Sequence, residues 1–236
     1  MNILHTPQKP VGLEPAQRFV LGCVRWEEYE KFLDAIGERR IRATYDRGTL
    51  ELMTLSPLHE RYKSLFGHLF FVLMEQLDIP VTALGSTTFR SQAAERGLEP
   101  DLCYYLASGA RVRSWWTLDL AVDPPPDLAI ELDLTTSCLD RIAIYASLRV
   151  PEVWRLHGER LDVHRSRPGG GYEILPRSVE LPFVPVEDIP ALLRQGMDFQ
   201  DDRPFLRALR EWVRTRVAPL RQASVGKRRR GRKTDG

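Results

Sequence analysis

The stretch PDLAIELD, residues 126–133, places acidic side chains in a short apolar run that begins at the last of three consecutive prolines. A run of this length, bounded by prolines, predicts a central β-strand. Glu131 and Asp133 are two residues apart, so on a strand they project from the same face. Charged side chains are disfavoured inside an apolar strand unless they meet a partner or a cation. The stretch therefore predicts a buried strand that carries a polar site.

Hydrophobic periodicity predicts how the rest of the chain is arranged around that strand. Helical spacing of apolar residues marks helices at residues 26–36, 58–77, 137–148, 187–194 and 203–217, and alternating or apolar runs mark strands at residues 41–53, 81–89, 101–106, 151–156, 159–166 and 172–176. Asp46-Arg47-Gly48 divides the first of these strand segments into a hairpin. Ser56 and Pro57 suit the start of the long second helix, and Ser137 suits the start of the third. The order predicts an α/β fold, a mixed β-sheet core flanked by helices, with an N-terminal helix and β-hairpin.

Proline content and charge divide the chain into segments. Residues 1–22 hold three prolines and are expected to be irregular. We expect residues 23–195 to form the principal domain, residues 196–220 to form a C-terminal helix and residues 221–236 to be a disordered basic tail.

The net charge is +2, but the last sixteen residues carry seven Lys/Arg and one acid, a net of +6. Residues 1–220 then carry 27 bases and 31 acids, a net of −4. The basic character therefore belongs to the tail, and it does not indicate a basic groove in the domain.

Several protein classes are excluded by what the sequence lacks. The three cysteines are far apart and form no Cys-x-x-Cys pair, which argues against a disulfide framework or a zinc site. The N-terminus has no apolar run after a basic start, as a secretory signal would. No stretch approaches the roughly 18 apolar residues of a membrane span. We expect a cytoplasmic protein that does not contact a membrane.

A second acid, Asp101, follows Pro100 at the start of another predicted strand. If Asp101 and Glu131 converge, their carboxylates repel each other, and a divalent cation removes that repulsion. Mg²⁺ prefers such oxygen ligands, and once bound it can polarise a phosphoryl oxygen and activate a water molecule. The spacing alone leaves a structural interpretation open, because an acid at a strand end is commonly a cap or one half of an ion pair.

Four segments together carry a family resemblance: LEPD at residues 98–101, PDLAIELD at 126–133, DRIAIY at 140–145 and VPEVW at 150–154. In order and spacing they resemble the Uma family, a prokaryotic family of restriction endonucleases, over about residues 20–185. The resemblance implies a PD-(D/E)XK nuclease core, in which a mixed sheet flanked by helices binds Mg²⁺ and hydrolyses DNA. Residues 23–195 would then be a restriction-endonuclease-like domain.

The resemblance also implies roles for individual residues. Asp101 matches the PD aspartate and Glu131 the acid of the half-motif, and both would ligate Mg²⁺, or Mn²⁺ as a substitute. Asp133 stands where the motif has lysine, and it would be a third ligand or the general base. Arg141 takes the place of the basic residue that the family carries four residues before a tyrosine, here Tyr145, one turn later on the same helix face. Arginine binds phosphate but stays protonated, so Arg141 would clamp the scissile phosphate, while Tyr145 would orient Arg141 or the water.

Two further segments each allow two interpretations. Glu60 lies in the first turn of the long helix, whose counterpart in related nucleases often gives an acid to the metal site. A solvated glutamate favoured by the helix dipole explains it as well. His59 beside it is expected at the surface or at an interface, with a proton relay as the alternative.

Trp115 and Trp116, next to two arginines, suit stacking on DNA bases or packing of a loop against the core.

The leading hypothesis is a Mg²⁺-dependent endonuclease acting on DNA. The missing lysine motivates a second hypothesis, a catalytically weak or inactive module that keeps the fold in order to bind DNA or a protein partner. A third is an interaction protein that forms a homodimer through the long helix. Dimerisation is compatible with the first hypothesis, since nuclease folds of this type often dimerise.

Overall fold

A computed structural model describes residues 17–134 and 137–231, with side chains up to residue 224. The strands are β1 (Arg18–Leu21), β2 (Ile41–Asp46), β3 (Thr49–Thr54), β4 (Thr82–Ala83), β5 (Phe89–Ser91), β6 (Arg96–Leu98), β7 (Leu102–Tyr105), β8 (Leu128–Asp133), β9 (Glu152–His157), β10 (Arg160–Ser166) and β11 (Tyr172–Leu175). The helices are α1 (Trp26–Ile36), α2 (Pro57–Leu77), α3 (Arg141–Ser147), α4 (Ile189–Asp198), α5 (Asp202–Trp212) and α6 (Ala218–Gly231). A π-helical segment, Val213–Val217, joins α5 to α6.

The strand predicted from residues 126–133 forms β8, in the interior of a six-stranded sheet. The strand order is β11-β10-β9-β8-β7-β4. β8 pairs with β9 in parallel and with β7 antiparallel, so the sheet is mixed, as predicted. Parallel neighbours need a crossover connection, and α3 lies in the connection between β8 and β9. The α/β fold class is confirmed.

The predicted hairpin, β2 and β3, belongs to a second sheet of order β1-β3-β2-β6-β5. Arg47 and Gly48 form its turn with φ of 43° and 91°. Positive φ at both central residues is what a two-residue hairpin turn requires, and glycine adopts it without strain. This sheet matters for function because β2 and β3 present polar side chains towards β8.

Helices cover both faces of the six-stranded sheet. The long helix α2 begins at Pro57 with Ser56 as its cap, as predicted, and packs its apolar side chains into the principal core. Within that core the Phe70 ring stacks on Tyr104 with centroids 4.0 Å apart and lies 5.6 Å from Trp154. On the other face α3 packs through a smaller apolar cluster. Two layers of apolar contact thus fix the position of β8.

The first strand departs from the expectation that residues 1–22 are irregular. β1 lies inside that segment and pairs antiparallel with β3, with Arg18 opposite Met53. The paired residues of β1 and β3 are 29 to 35 positions apart in the sequence, so hydrophobic periodicity does not detect this pairing. Residues 1–16 lie outside the described part of the chain.

Two helix ends also differ from the sequence-based expectations. The cap of α3 is Asp140, whose carboxylate accepts from the Ala143 N–H at 3.1 Å, and not Ser137. The backbone of α6 is helical to Gly231, where the sequence predicts a disordered tail from residue 221 onward. Residues 232–236 of that predicted tail lie outside the described residues. No helix in the described part of the chain is long and apolar enough to cross a membrane.

Candidate functional site

Asp101 lies next to β8, at the point where the pairing of β7 with β8 ends. In this antiparallel pair the register runs from Tyr104 opposite Leu128 to Leu102 opposite Ile130. The Asp101 N–H donates to the Ile130 carbonyl oxygen at 3.1 Å, and the Leu132 N–H donates to the Asp101 carboxylate at 2.6 Å. The Asp101 side chain is thus bonded to the residue that follows Glu131. The fold places the two acids that the sequence singles out on neighbouring strands.

The Asp101 carboxylate is fully buried and surrounded by donors. Oδ1 accepts from Arg42 Nη2 at 2.5 Å and lies 2.8 Å from His59 Nε2, and Oδ2 accepts from the Leu132 N–H at 2.6 Å. Burial alone raises the pKa of Asp101. The Arg42 charge and the His59 hydrogen bond outweigh burial, so the pKa lies below its ordinary value. Asp101 is therefore ionised and compensated by Arg42.

The Glu131 carboxylate is held by two side chains of α3. Arg141 Nε lies 2.6 Å from Oε1, Arg141 Nη2 donates to Oε2 at 3.0 Å, and the Tyr145 hydroxyl donates to Oε2 at 2.8 Å. Burial alone lowers the pKa of Arg141, but the Glu131 charge reverses this and raises it. Burial, together with the Glu131 charge, raises the pKa of Tyr145. The guanidinium is therefore charged and the phenol neutral at physiological pH.

A small cleft of about 60 Å³ leads to this pair and is lined by Glu131, Asp133, Arg141 and Arg155, among others. Asp133 Oδ2 lies 2.5 Å from Arg155 Nη2, on the strand next to β8. Asp133 thus shares the cleft with Glu131, as the two-residue spacing predicts. It too is paired with an arginine.

A neighbouring cleft of about 20 Å³ shares Glu131, Asp133 and Arg141 and is completed by the second sheet, which contributes Arg42 and Glu51 among others. Neither of these two residues was predicted from the sequence as part of the site. Arg42 is buried, with 2% of its side chain exposed. Both sheets therefore contribute charged side chains to the site.

Glu51, on β3, is a buried carboxylate with its own set of donors. It accepts from Arg18 Nη1 at 2.7 Å, from the Ser137 hydroxyl at 2.9 Å and from the Cys138 N–H at 3.0 Å. Burial alone raises the pKa of Glu51, but the hydrogen bonds from Cys138 and Ser137 bring it below its ordinary value. An acid inside the apolar run of β3 is the same signal that marks Glu131, and it could have identified Glu51.

A family model described as "Putative restriction endonuclease", Uma2, matches residues 26–196, which is more than half of the chain. The chain belongs to the Uma2 family. A solved structure described as "a putative nuclease belonging to DUF820", from Anabaena variabilis ATCC 29413, is similar over 80% of this chain and 98% of its own, with 15% sequence identity and a TM-score of 0.45. No curated protein matches the chain. Membership in Uma2 confirms the resemblance that the four sequence segments carry, and it places the chain among restriction-endonuclease-like proteins.

In this Uma2 protein His59 is buried, so the expectation of a surface histidine is wrong. It lies on the first turn of α2 and contacts Asp101. Glu60, the next residue, has Oε1 3.7 Å from His59 Nδ1 and lines neither cleft. Glu60 is therefore separated from the carboxylate pair by His59.

The two tryptophans lie at the other end of the six-stranded sheet. They belong to the connection that leaves β7 after Tyr105 and enters β8, whereas Asp101 precedes β7. The Trp115 ring packs edge-on against Tyr105 with centroids 5.2 Å apart, and Trp116 is 96% exposed. Trp115 therefore packs its loop against the core, which is the second of the two interpretations. Neither tryptophan lines the clefts at Glu131.

The Uma2 family implies a divalent cation, and the arrangement of donors tests that implication. Asp101 and Glu131 offer the oxygen ligands that Mg²⁺ prefers. However, three of their four oxygens already accept a hydrogen bond, and the fourth, Glu131 Oε1, lies 2.6 Å from Arg141 Nε. Within residues 17–134 and 137–231, no three His, Cys, Asp or Glu side chains form a group that could hold a metal ion. The side chains as arranged here do not fit Mg²⁺ until a guanidinium group moves away.

Proposed function

We propose that this Uma2 protein is an endonuclease that hydrolyses phosphodiester bonds of DNA and depends on Mg²⁺, for which Mn²⁺ substitutes. The observation that carries the proposal is that Arg141 and Tyr145 hold Glu131 beside a cleft, while the Asp101 carboxylate accepts from the N–H of Leu132, the residue after Glu131. Among restriction-endonuclease-like proteins, a cleft with paired acids and a fixed positive charge suits attack of water on a phosphate.

The roles of the chain's own residues follow from their contacts. Arg141 would bind a non-bridging phosphate oxygen, because its guanidinium is charged, planar and lines the cleft. Tyr145 would keep Glu131 in place through its hydroxyl group. Asp133 would accept a proton from the attacking water. The water oxygen forms a new P–O bond, one ester P–O bond breaks, and the leaving alkoxide takes a proton from solvent.

A plasmid-nicking assay tests the proposal. Wild-type protein with Mg²⁺ is expected to convert supercoiled DNA to the open circle, and EDTA is expected to stop the reaction. Glu131→Gln keeps the shape of the side chain but removes its charge. The rate should fall by roughly a hundredfold or more, the lower range for loss of a group that acts in proton transfer or charge stabilisation.

The matched control is Glu173→Gln, the same substitution at an exposed residue of β11. It should nick DNA at the wild-type rate, and circular dichroism should show that both variants are folded. Equal rates for wild type and Glu131→Gln, or no nicking by either with several divalent metals, would remove the catalytic claim.

A binding module without turnover is the second candidate. The observation in its favour is that guanidinium groups already hold Asp101, Glu131 and Asp133, with Asp133 standing where the motif has lysine. Such a module would retard a DNA duplex in a band-shift assay, or capture a protein, and would leave supercoiled plasmid intact.

Homodimer formation through α2 and location in the cytoplasm are further proposals. α2 leaves the Phe71 side chain largely exposed, which supports a contact surface on this helix. Light scattering should then give a mass that rises from one chain to two with concentration. Phe71→Ser should shift that transition to higher concentration.

A further inference from the structure

The C-terminal helices carry a charge that the rest of the chain does not share. Residues 203–236 hold twelve Lys/Arg and two acids, a net of +10, whereas residues 1–202 hold 22 bases and 30 acids, a net of −8. This basic stretch follows the part of the chain that the Uma2 model matches, which ends at residue 196. We propose that α5 and its helical continuation bind the phosphate backbone of duplex DNA, at a second surface that is separate from the clefts at Glu131.

Four arginines of α5 and the π-helical segment form one row. Arg203, Arg207, Arg210 and Arg214 follow one another at intervals of four, three and four residues, which places them on one face of the helix. All four side chains are exposed. At a rise of about 1.5 Å per residue, the row is about 16 Å long. These four residues are called the arginine row below.

The opposite face of the same helix is buried. Phe205, Leu209, Trp212 and Val217 belong to the principal core, which lies on the face of the six-stranded sheet away from α3. The arginine row and the clefts at Glu131 are therefore on opposite sides of that sheet. Because the apolar face of α5 is buried, it is not available to enter a lipid bilayer, as the apolar face of a membrane-surface helix does. An anionic polymer in water suits the row better than a membrane.

The acids of this stretch leave half of the arginine row unpaired. Between residues 203 and 233 the sequence has one acid, Glu211, and Arg214 binds it through three contacts of 2.7–3.1 Å. Arg207 and Arg210 form no ion pair with any residue that the structure describes. Like charges three or four residues apart destabilise a helix. Phosphate oxygens placed along the row would relieve that repulsion.

Arginine suits a phosphate backbone because its guanidinium stays charged and presents a planar set of donors. Arg203 pairs with the aspartate that caps α5 and Arg214 pairs with Glu211, but exposed pairs contribute little, so a phosphate can replace either carboxylate at small cost. Duplex DNA carries about one charge per 1.7 Å of its axis, so the row can lie against several phosphates. The backbone of α6 continues the helix to Gly231, and its sequence adds a basic run at residues 227–230.

The proposal predicts how salt weakens DNA binding. Each phosphate contact adds about 0.9 to the slope of log K against log salt concentration. Arg207→Gln combined with Arg210→Gln should therefore lower the slope by about 2 and weaken binding by about tenfold or more at about 0.1 M salt. Arg207→Lys combined with Arg210→Lys keeps both charges and should keep the wild-type slope. The matched control, Arg160→Gln combined with Arg167→Gln, removes the same charge from exposed positions at the start of β10 and just after it, and should bind as wild type does.

The experiment is fluorescence anisotropy of a labelled duplex of about 20 base pairs, titrated with the full chain in EDTA at salt concentrations from about 50 to 200 mM. A lower slope in the paired Gln variant, with wild-type slopes in the Lys variant and the control, supports the inference. An unchanged slope overturns it. An equal fall in the control also overturns it, because net charge alone would then explain the effect.

The wild type alone provides a test that needs no variant to fold. No binding to the duplex, or a slope below about 2, overturns the inference, and so does binding to phosphatidylserine vesicles in place of the duplex. EDTA separates this test from the proposed function. Plasmid nicking with Mg²⁺ but an unchanged slope in the Gln variant would remove the inference alone, whereas a lowered slope without nicking would remove the proposed function alone.

Discussion

Replacing Arg42 by methionine probes the deepest contact of the site. The substitution removes the guanidinium that lies 2.5 Å from Asp101 and leaves the fully buried carboxylate with His59 and the Leu132 N–H. Removing one member of a buried ion pair costs about 3–5 kcal/mol, because the other charge stays behind uncompensated. Since domains are stable by about 5–15 kcal/mol, we expect Arg42→Met to remain folded but to lose a large share of its stability.

The partner variant Asp101→Asn leaves Arg42 buried without its carboxylate and should cost a similar amount. The double variant removes both charges, so its loss should be smaller than the sum of the two single losses by about 2–3 kcal/mol. Urea denaturation followed by tryptophan fluorescence gives all four free energies of unfolding. Single losses that add to within about 0.5 kcal/mol would refute the assignment of this contact as a coupled buried pair.

The pH dependence of the free energy of unfolding, measured for the same variants, tests the Arg42–Asp101 ion pair independently. Burial raises the pKa of Asp101, but the Arg42 charge and the His59 hydrogen bond lower it more, so its pKa is depressed in the folded protein. A carboxyl group whose pKa is lower in the folded than in the unfolded protein stabilises the fold. This stabilisation is complete at pH values above the unfolded-state pKa of about 4 and decreases as the pH falls below it. The stability gap between wild type and Arg42→Met should therefore be largest near neutral pH and narrow below pH of about 4.

Three further substitutions have defined outcomes. Tyr145→Phe removes the hydroxyl that donates to Glu131 at 2.8 Å. The free energy of unfolding should fall by about 1–3 kcal/mol, and the nicking rate should fall as well. If neither value changed, the hydrogen bond would contribute to neither stability nor activity. Gly97→Ala would put a Cβ 2.2 Å from the buried Tyr29 hydroxyl oxygen and should lower stability by about 1–3 kcal/mol in thermal denaturation, whereas an unchanged melting temperature would contradict this packing. Glu152→Gln disturbs a fully buried acid that accepts four hydrogen bonds, and should cost about 2–4 kcal/mol without changing the nicking rate per folded molecule.

Part of the site could be predicted from the sequence. The family resemblance identified Arg141 and Tyr145, which are one helical turn apart and both reach Glu131. Glu131 and Asp133 are two residues apart on a strand, and both line the same cleft. Asp101 was a candidate because it follows Pro100 at the start of a predicted strand, but its position next to β8 depends on the pairing of two strands rather than on any periodicity.

The contribution of Arg42 from the second sheet could not be predicted in this way. A charged residue at alternate positions of a strand looks like the solvent-facing side of a hairpin, and Arg42 in the run IRATY fits that pattern. Only the tertiary packing of β2 against β8 turns this face inward and buries Arg42. The same limit applies to His59, which the first turn of α2 directs at Asp101.

The proposed function requires Asp101 and Glu131 to hold one dication together. Anomalous diffraction at the manganese edge, from crystals grown with Mn²⁺ and a phosphorothioate duplex, tests it most directly. A peak about 2.0–2.3 Å from one oxygen of each carboxylate, with Arg141 on a phosphate, is the predicted result. A complex in which Arg42 and Arg141 keep their carboxylates, with manganese elsewhere or none, would contradict it.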